Sequence, residues 1–201
     1  NIGTFAMPFT QGFLGPVGVL TTSLFDMGNA FVCLGGSFGV ARAIKEGGKM
    51  NLLRILKAPF ASIPFLTHLL MVSLNLLHLN VPGPIVSFCS IVGNANPAMA
   101  MLMIGVGFNL SGETSQKTTV VKILSARYAI ALTLAAVFYF CLPFELQVRQ
   151  ALALLAVSPI GTAVPVFTAE LKEDAGLSSA INSIAIVISI VLMVSMLLIM
   201  L

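Results

Sequence analysis

Two segments of the chain repeat one skeleton, and each falls in an apolar run long enough to cross a bilayer. The first reads Ile2-Gly3-Thr4, a four-residue gap, Phe9-Thr10 and then Gly18. The second reads Ile160-Gly161-Thr162, the same gap, Phe167-Thr168 and then Gly176. A proline stands in each gap, Pro8 and Pro165. Gly, Thr and Pro interrupt a helix and release main-chain carbonyls and amides that hydrocarbon cannot satisfy. Such breaks persist in a membrane only where they line a cavity or bind something. Two of them in matching places are the sequence sign of a carrier with a binding site at the bilayer midplane.

With 58% hydrophobic and only 8% charged residues, the chain has too much apolar surface for one soluble core and reads as an integral membrane protein. A formal charge of +3 is too small to imply nucleic acid. The start inside an apolar run, with no initiator Met and no basic leader, predicts a fragment of a longer chain. Cys33, Cys89 and Cys141 are far apart, with no CxxC or His spacing, and read as small buried hydrophobes. No metal and no cofactor is expected: HExxH, P-loop and dinucleotide fingerprints are absent, which also leaves ATP-driven transport unsupported.

Apolar runs of about twenty residues divide the chain into a half-span and six further units. These are a broken half-span over 1–13, helices near 17–41, 52–77, 84–110 and 120–140, a broken span over 148–171, and a terminal helix over 177–201. Gly and Pro clusters mark the turns between them, at Lys45 to Lys49, Asn80 to Pro84, Ser111 to Ser115 and Cys141 to Pro143. Arg42, Lys45, Lys49, Arg54 and Lys57 crowd one loop, while Lys117, Lys122 and Arg127 crowd the loop two spans on. Basic loops stay in the cytoplasm, so the C-terminus is expected outside. The two broken spans then run in opposite directions, which is inverted topology.

At these residues the chain resembles the auxin efflux carrier family, which includes plant auxin exporters and bacterial malate or malonate permeases. The resemblance rests on Asn1 to Pro8, Gly18 with Leu24-Phe25-Asp26 and Asn29, Gly93 to Pro97 with Gly105 and Gly107, the Pro159 to Pro165 break, and Gly176 to Ala180. It implies an all-α, ten-helix membrane fold of two inverted five-helix repeats whose discontinuous helices cross at their breaks, N-terminally truncated here. On that alignment 1–41 ends the first repeat, 42–51 is a basic cytoplasmic loop, and 52–201 is the second repeat with its broken span at 148–171. The implied site residues are Asn1, Pro8, Gly161, Thr162 and Pro165. Many members carry an Asn in the second break; this chain offers Thr162 there. The implied function is secondary transport of a small organic anion, a dicarboxylate or an auxin-like carboxylate, by alternating access in the plasma membrane. A coupled proton or sodium ion and a homodimer are compatible with it.

Residues just after each break are natural anion donors, because a helix N-terminus presents unsatisfied N–H groups and partial positive charge. Asp26 is the acid expected within the membrane core, where ionisable groups face a pathway or a partner. It reads as a proton carrier or as a partner of Asn29 one helical turn on. Asn29, Asn94 and Asn96 read as lining or coupling residues, or as glue between helices. An anion channel or uniporter is the alternative within transport. The enzyme alternative is an intramembrane serine hydrolase using Ser37 of Gly35-Gly36-Ser37-Phe38-Gly39 with His68, although that motif requires a strand-turn-helix setting.

Overall fold

The computed structural model describes residues 1–47, 52–95 and 117–200, together with 98–99, 102 and 105–106. Among them every regular element is helical and there is no strand. A wide π-type turn, Ile2–Ala6, leads into α1 (Met7–Ala30); a second, Phe31–Ser37, leads into α2 (Phe38–Glu46). Next come α3 (Leu52–Lys57), a 3-10 turn (Ala58–Ala61), α4 (Ile63–Leu76) and α5 (Gly83–Asn94). The remainder holds α6 (Lys117–Cys141), α7 (Leu146–Ala156), α8 (Val164–Glu170) and α9 (Ala175–Met200). Three helical stretches, Ile2–Lys45, Lys117–Cys141 and Ala175–Met200, are long and apolar enough to cross a membrane. The chain therefore carries the helices of a membrane protein.

The first stretch is not straight. Gly15 has φ 57° and ψ −143°, a region open essentially to glycine, so α1 is two helices joined at that residue, the second beginning at Pro16. The boundary expected between 13 and 17 falls there. Across the kink, a β-carbon on Gly18 would sit 2.6 Å from the carbonyl oxygen of Thr10, so only glycine allows this approach.

The chain folds as two compact units, Asn1–Thr22 with Pro97–Leu201, and Ser23–Asn96. In the first, α6 packs along α7, with Ala131, Ala135, Ala151 and Ala153 buried. Small side chains let membrane helices approach closely where no hydrophobic drive separates lipid from protein. Arg149 of α7 donates from Nη1 to the Tyr139 carbonyl at 3.0 Å and fastens that hairpin. The Tyr128 hydroxyl donates to the Ala185 carbonyl at 2.7 Å and lies 2.8 Å from Ser189 Oγ, joining α6 to α9. Gln150 Nε2 donates to the Met200 carbonyl at 2.7 Å and ties α7 to the far end of α9. Asp174 Oδ1 caps α9 by accepting from the Leu177 N–H at 2.8 Å. Ile130, Phe140, Val191, Leu198 and Ile199 point outward, as lipid-facing side chains do.

In the second unit Phe65 is buried between edge-on contacts from Phe31 and Phe60, with ring centroids 5.1 and 5.2 Å away. This cluster corrects the single helix expected over 52–77. That segment breaks at Ala58–Ala61, where Pro59 and Pro64 each remove a main-chain donor and Ser62 turns extended (φ −94°, ψ 120°). Gly47 ends α2 in the left-handed conformation, its N–H bonded to the Ala43 carbonyl.

Two further expectations change. Lys117, Lys122 and Arg127 lie on α6 and not in a loop; the loop signal at 111–115 lies outside the described residues. Cys89 and Cys141 are exposed and Cys33 is half-buried, so none is a core hydrophobe. In an apolar solvent a cysteine gains little by turning inward.

Candidate functional site

The second copy of the skeleton follows a true gap. Helix α7 ends at Ala156 and α8 begins at Val164, with Pro165 in its first turn, where a missing N–H costs nothing. Val157, Ser158 and Pro159 are buried, so their polar main-chain atoms must find partners within the protein. They do. Arg127 Nη2 donates to the Ser158 carbonyl at 2.6 Å, and the main-chain nitrogen of Asn1 donates to the Pro159 carbonyl at 2.8 Å. The Gly161 carbonyl accepts from Val164 N–H at 3.0 Å as α8 begins. A β-carbon placed on Gly161 would meet nothing within 4 Å, so the break borders open space.

The first copy behaves differently. Ile2–Ala6 stays coiled as a π-type turn, with the Met7 N–H reaching the Ile2 carbonyl, and Pro8 follows as the second residue of α1 with no unwound gap. The wide turn absorbs the donor that Pro8 lacks. This turn packs on α7, and Ile2, Phe5 and Ala6 are buried. π-type turns recur at functional sites because they leave carbonyls unengaged.

Both copies then make the same clip. In the first, Thr10 Oγ1 lies 2.8 Å from Thr22 Oγ1 and bonds back to the Met7 carbonyl; in the second, Thr168 Oγ1 lies 3.1 Å from Ser178 Oγ and bonds back to the Val164 carbonyl. Each is a short helix, a turn through a residue of positive φ (Gly15 at 57°, Lys172 at 54°) and a long helix. The repeated threonine therefore fastens a hairpin in each copy.

A cavity of about 380 Å³ opens beside the second break, lined by Ile123, Ile160, Val164, Thr168, Leu177 and Ile181, with Glu173 and Asp174 also on its wall. Of the residues expected to form the site, Asn1 and Gly161 belong to this region, Thr162 lies in the break and Pro165 in the first turn of α8. Pro8 belongs to the same unit, in α1. Asp26, Asn29 and Asn94 belong to the other unit, where Asp26 accepts a hydrogen bond from Asn29 and Asn94 is the exposed last residue of α5. Asn96 lies outside the described residues. Ser37 closes the π-type turn Phe31–Ser37, and His68 donates from Nδ1 to the Pro64 carbonyl of its own helix at 2.8 Å.

Arg127 and Asn182 are the residues that sequence reasoning passed over. Asn182 is 6% exposed, and its Oδ1 makes no hydrogen bond among the described residues. Arg127 looked like one more basic residue of a cytoplasmic cluster. Its position after a polar start and within an apolar run, ending at Cys141, was the available signal. The chain matches no protein-family model, no curated protein and no solved structure.

Proposed function

We propose that this chain forms part of a secondary carrier of the auxin efflux type, moving a small organic anion across the plasma membrane by alternating access. The observation that carries the reading is the meeting of the two skeleton copies, where Asn1 bonds to the Pro159 carbonyl. A break buried in protein and bordered by a cavity is the setting in which unwound backbone is tolerated at membrane depth. The cavity is of the size that small-molecule sites occupy. On this reading the two copies belong to inverted repeats, the basic segment around 42–57 and the start of α6 face the cytoplasm, and α9 ends outside. Asn1, Pro8, Gly161, Thr162 and Pro165 shape the substrate site, and Asp26 with Asn29 carries the coupling proton.

On this reading the substrate's charge is met by a side chain and not by the N-terminus of α8. Helix α8 has only two turns, too few peptide dipoles to sum to much. Concentration dependence of labelled malate, malonate and indole acetate uptake, in proteoliposomes holding the full-length protein, tests the proposal. Saturable uptake of one of them supports a carrier, whereas uptake linear in concentration points to a channel.

A further inference from the structure

We infer that Arg127 is the counter-charge for the transported anion, with the Ser158 carbonyl as its resting acceptor; this rests on the carrier reading above. Arg127 lies about 10 Å along α6 from the start of its apolar run at 120, at 1.5 Å per residue, which is inside a hydrocarbon core about 30 Å thick. A cation at that depth is costly, and such residues face a pathway or pair with another group. Its guanidinium has one strong bond, from Nη2 to the Ser158 carbonyl, while its buried Nε donates to no acceptor among the described residues. A neutral carbonyl answers only part of a guanidinium's capacity, since the planar fork matches a carboxylate through two parallel bonds.

The surroundings leave room for that carboxylate. Ile123 lines the cavity and stands one helical turn before Arg127, hence on the same face of α6. Ile160, two residues after Ser158, lines it from the break, and Gly161 faces open space. Arg127 is not itself in the cavity lining; it stands one turn of α6 beyond Ile123 and is bonded to the carbonyl two residues before Ile160, next to the lining at both points. Glu173 and Asp174 lie on the wall by the turn before α9. When an anion arrives, the guanidinium turns Nε and one Nη to it and loosens its hold on the Ser158 carbonyl. Binding is thereby coupled to the backbone of the break, the element that alternating access must move.

The test uses proteoliposomes holding the full-length protein, with malate, malonate and indole acetate as probes, and compares wild type with Arg127→Gln and Arg127→Lys. Loss of a charge-assisted hydrogen bond predicts KM raised about 10- to 100-fold in Arg127→Gln, with an intermediate value in Arg127→Lys. The thermal stabilisation that the probe gives to wild type is expected to vanish in Arg127→Gln. A residue that merely pinned the break would lower the melting temperature of the free protein and leave the probe's stabilising shift unchanged. In wild type, the probe should also slow phenylglyoxal modification of Arg127, read by peptide mass, which needs no folded variant. Wild-type KM and wild-type probe stabilisation in Arg127→Gln, or no protection of Arg127, would overturn the assignment and leave the carrier standing. No saturable uptake and no stabilisation by any probe in wild type would remove the carrier reading and this assignment with it.

Discussion

The main-chain nitrogen of Asn1 donates to the carbonyl of Pro159 at 2.8 Å, across 158 residues of sequence, so the two copies of one skeleton touch where the second is unwound. The contact joins what repetition alone could only suggest. It also makes the unwound carbonyls of 158 and 159 part of a bonded network and not a defect.

Thr10 and Thr22 are both fully buried and bonded to each other, so removing the Thr10 hydroxyl takes away the partner of Thr22. Thr10→Val should lower stability by about 1 kcal/mol, in the range measured for polar contacts in membrane bundles. The double variant Thr10→Val with Thr22→Val should recover part of that loss. Thermal unfolding in detergent gives both values.

Gly18 and Gly28 lie on the same helix and should respond in opposite ways. A β-carbon on Gly18 would meet the Thr10 carbonyl oxygen at 2.6 Å, whereas one on Gly28 would meet nothing within 4 Å. Gly18→Ala should therefore cost about 1–3 kcal/mol through forced separation of the hairpin. Gly28→Ala should be neutral or stabilise by up to about 1 kcal/mol, the difference in helix propensity. Equal effects of the two changes would deny the close approach.

The two left-handed turns make a second contrast. Gly15→Ala places a side chain where φ is 57° and ψ −143°, at a cost of about 1–3 kcal/mol. Lys172 already bears such a strain at φ 54°, and Lys172→Gly should relieve it by up to about 1 kcal/mol. Denaturation midpoints of the two variants should move in opposite directions.

Asp26 lies in the apolar stretch Ile2–Lys45 and is bonded to Asn29. On the carrier reading proposed above, Asp26 takes up and releases a proton during each cycle. Asp26→Asn should keep saturable uptake while losing its acceleration by an imposed pH gradient. Wild-type gradient dependence in that variant would assign coupling elsewhere.

Much of this was legible in the residues. Period and length placed α6 and α9 closely, and the boundary between 13 and 17 fell on Gly15-Pro16, because a positive φ needs glycine and a helix start accepts proline. The gap between Ala156 and Val164 followed from Pro159, Gly161 and Pro165. Long-range partners were not legible. Thr10 and Thr168 looked like generic helix-breaking residues, and only packing revealed them as clips. Arg127 was assigned to the membrane surface because basic residues are counted by proximity to loops, and counting ignores where a helix begins. Pro59 and Pro64 were absorbed into an apolar run of suitable length, and hydropathy does not register a missing donor.

Counterflow tests the central claim most directly. Proteoliposomes with the full-length protein are loaded with the unlabelled anion, and the initial entry of the same labelled anion is compared with that into empty vesicles, for wild type and Thr162→Ala. The account predicts faster entry into loaded vesicles, because a single alternating site returns more quickly when occupied, with weaker apparent affinity in Thr162→Ala. Entry at one rate into loaded and empty vesicles, rising linearly with concentration, would contradict it.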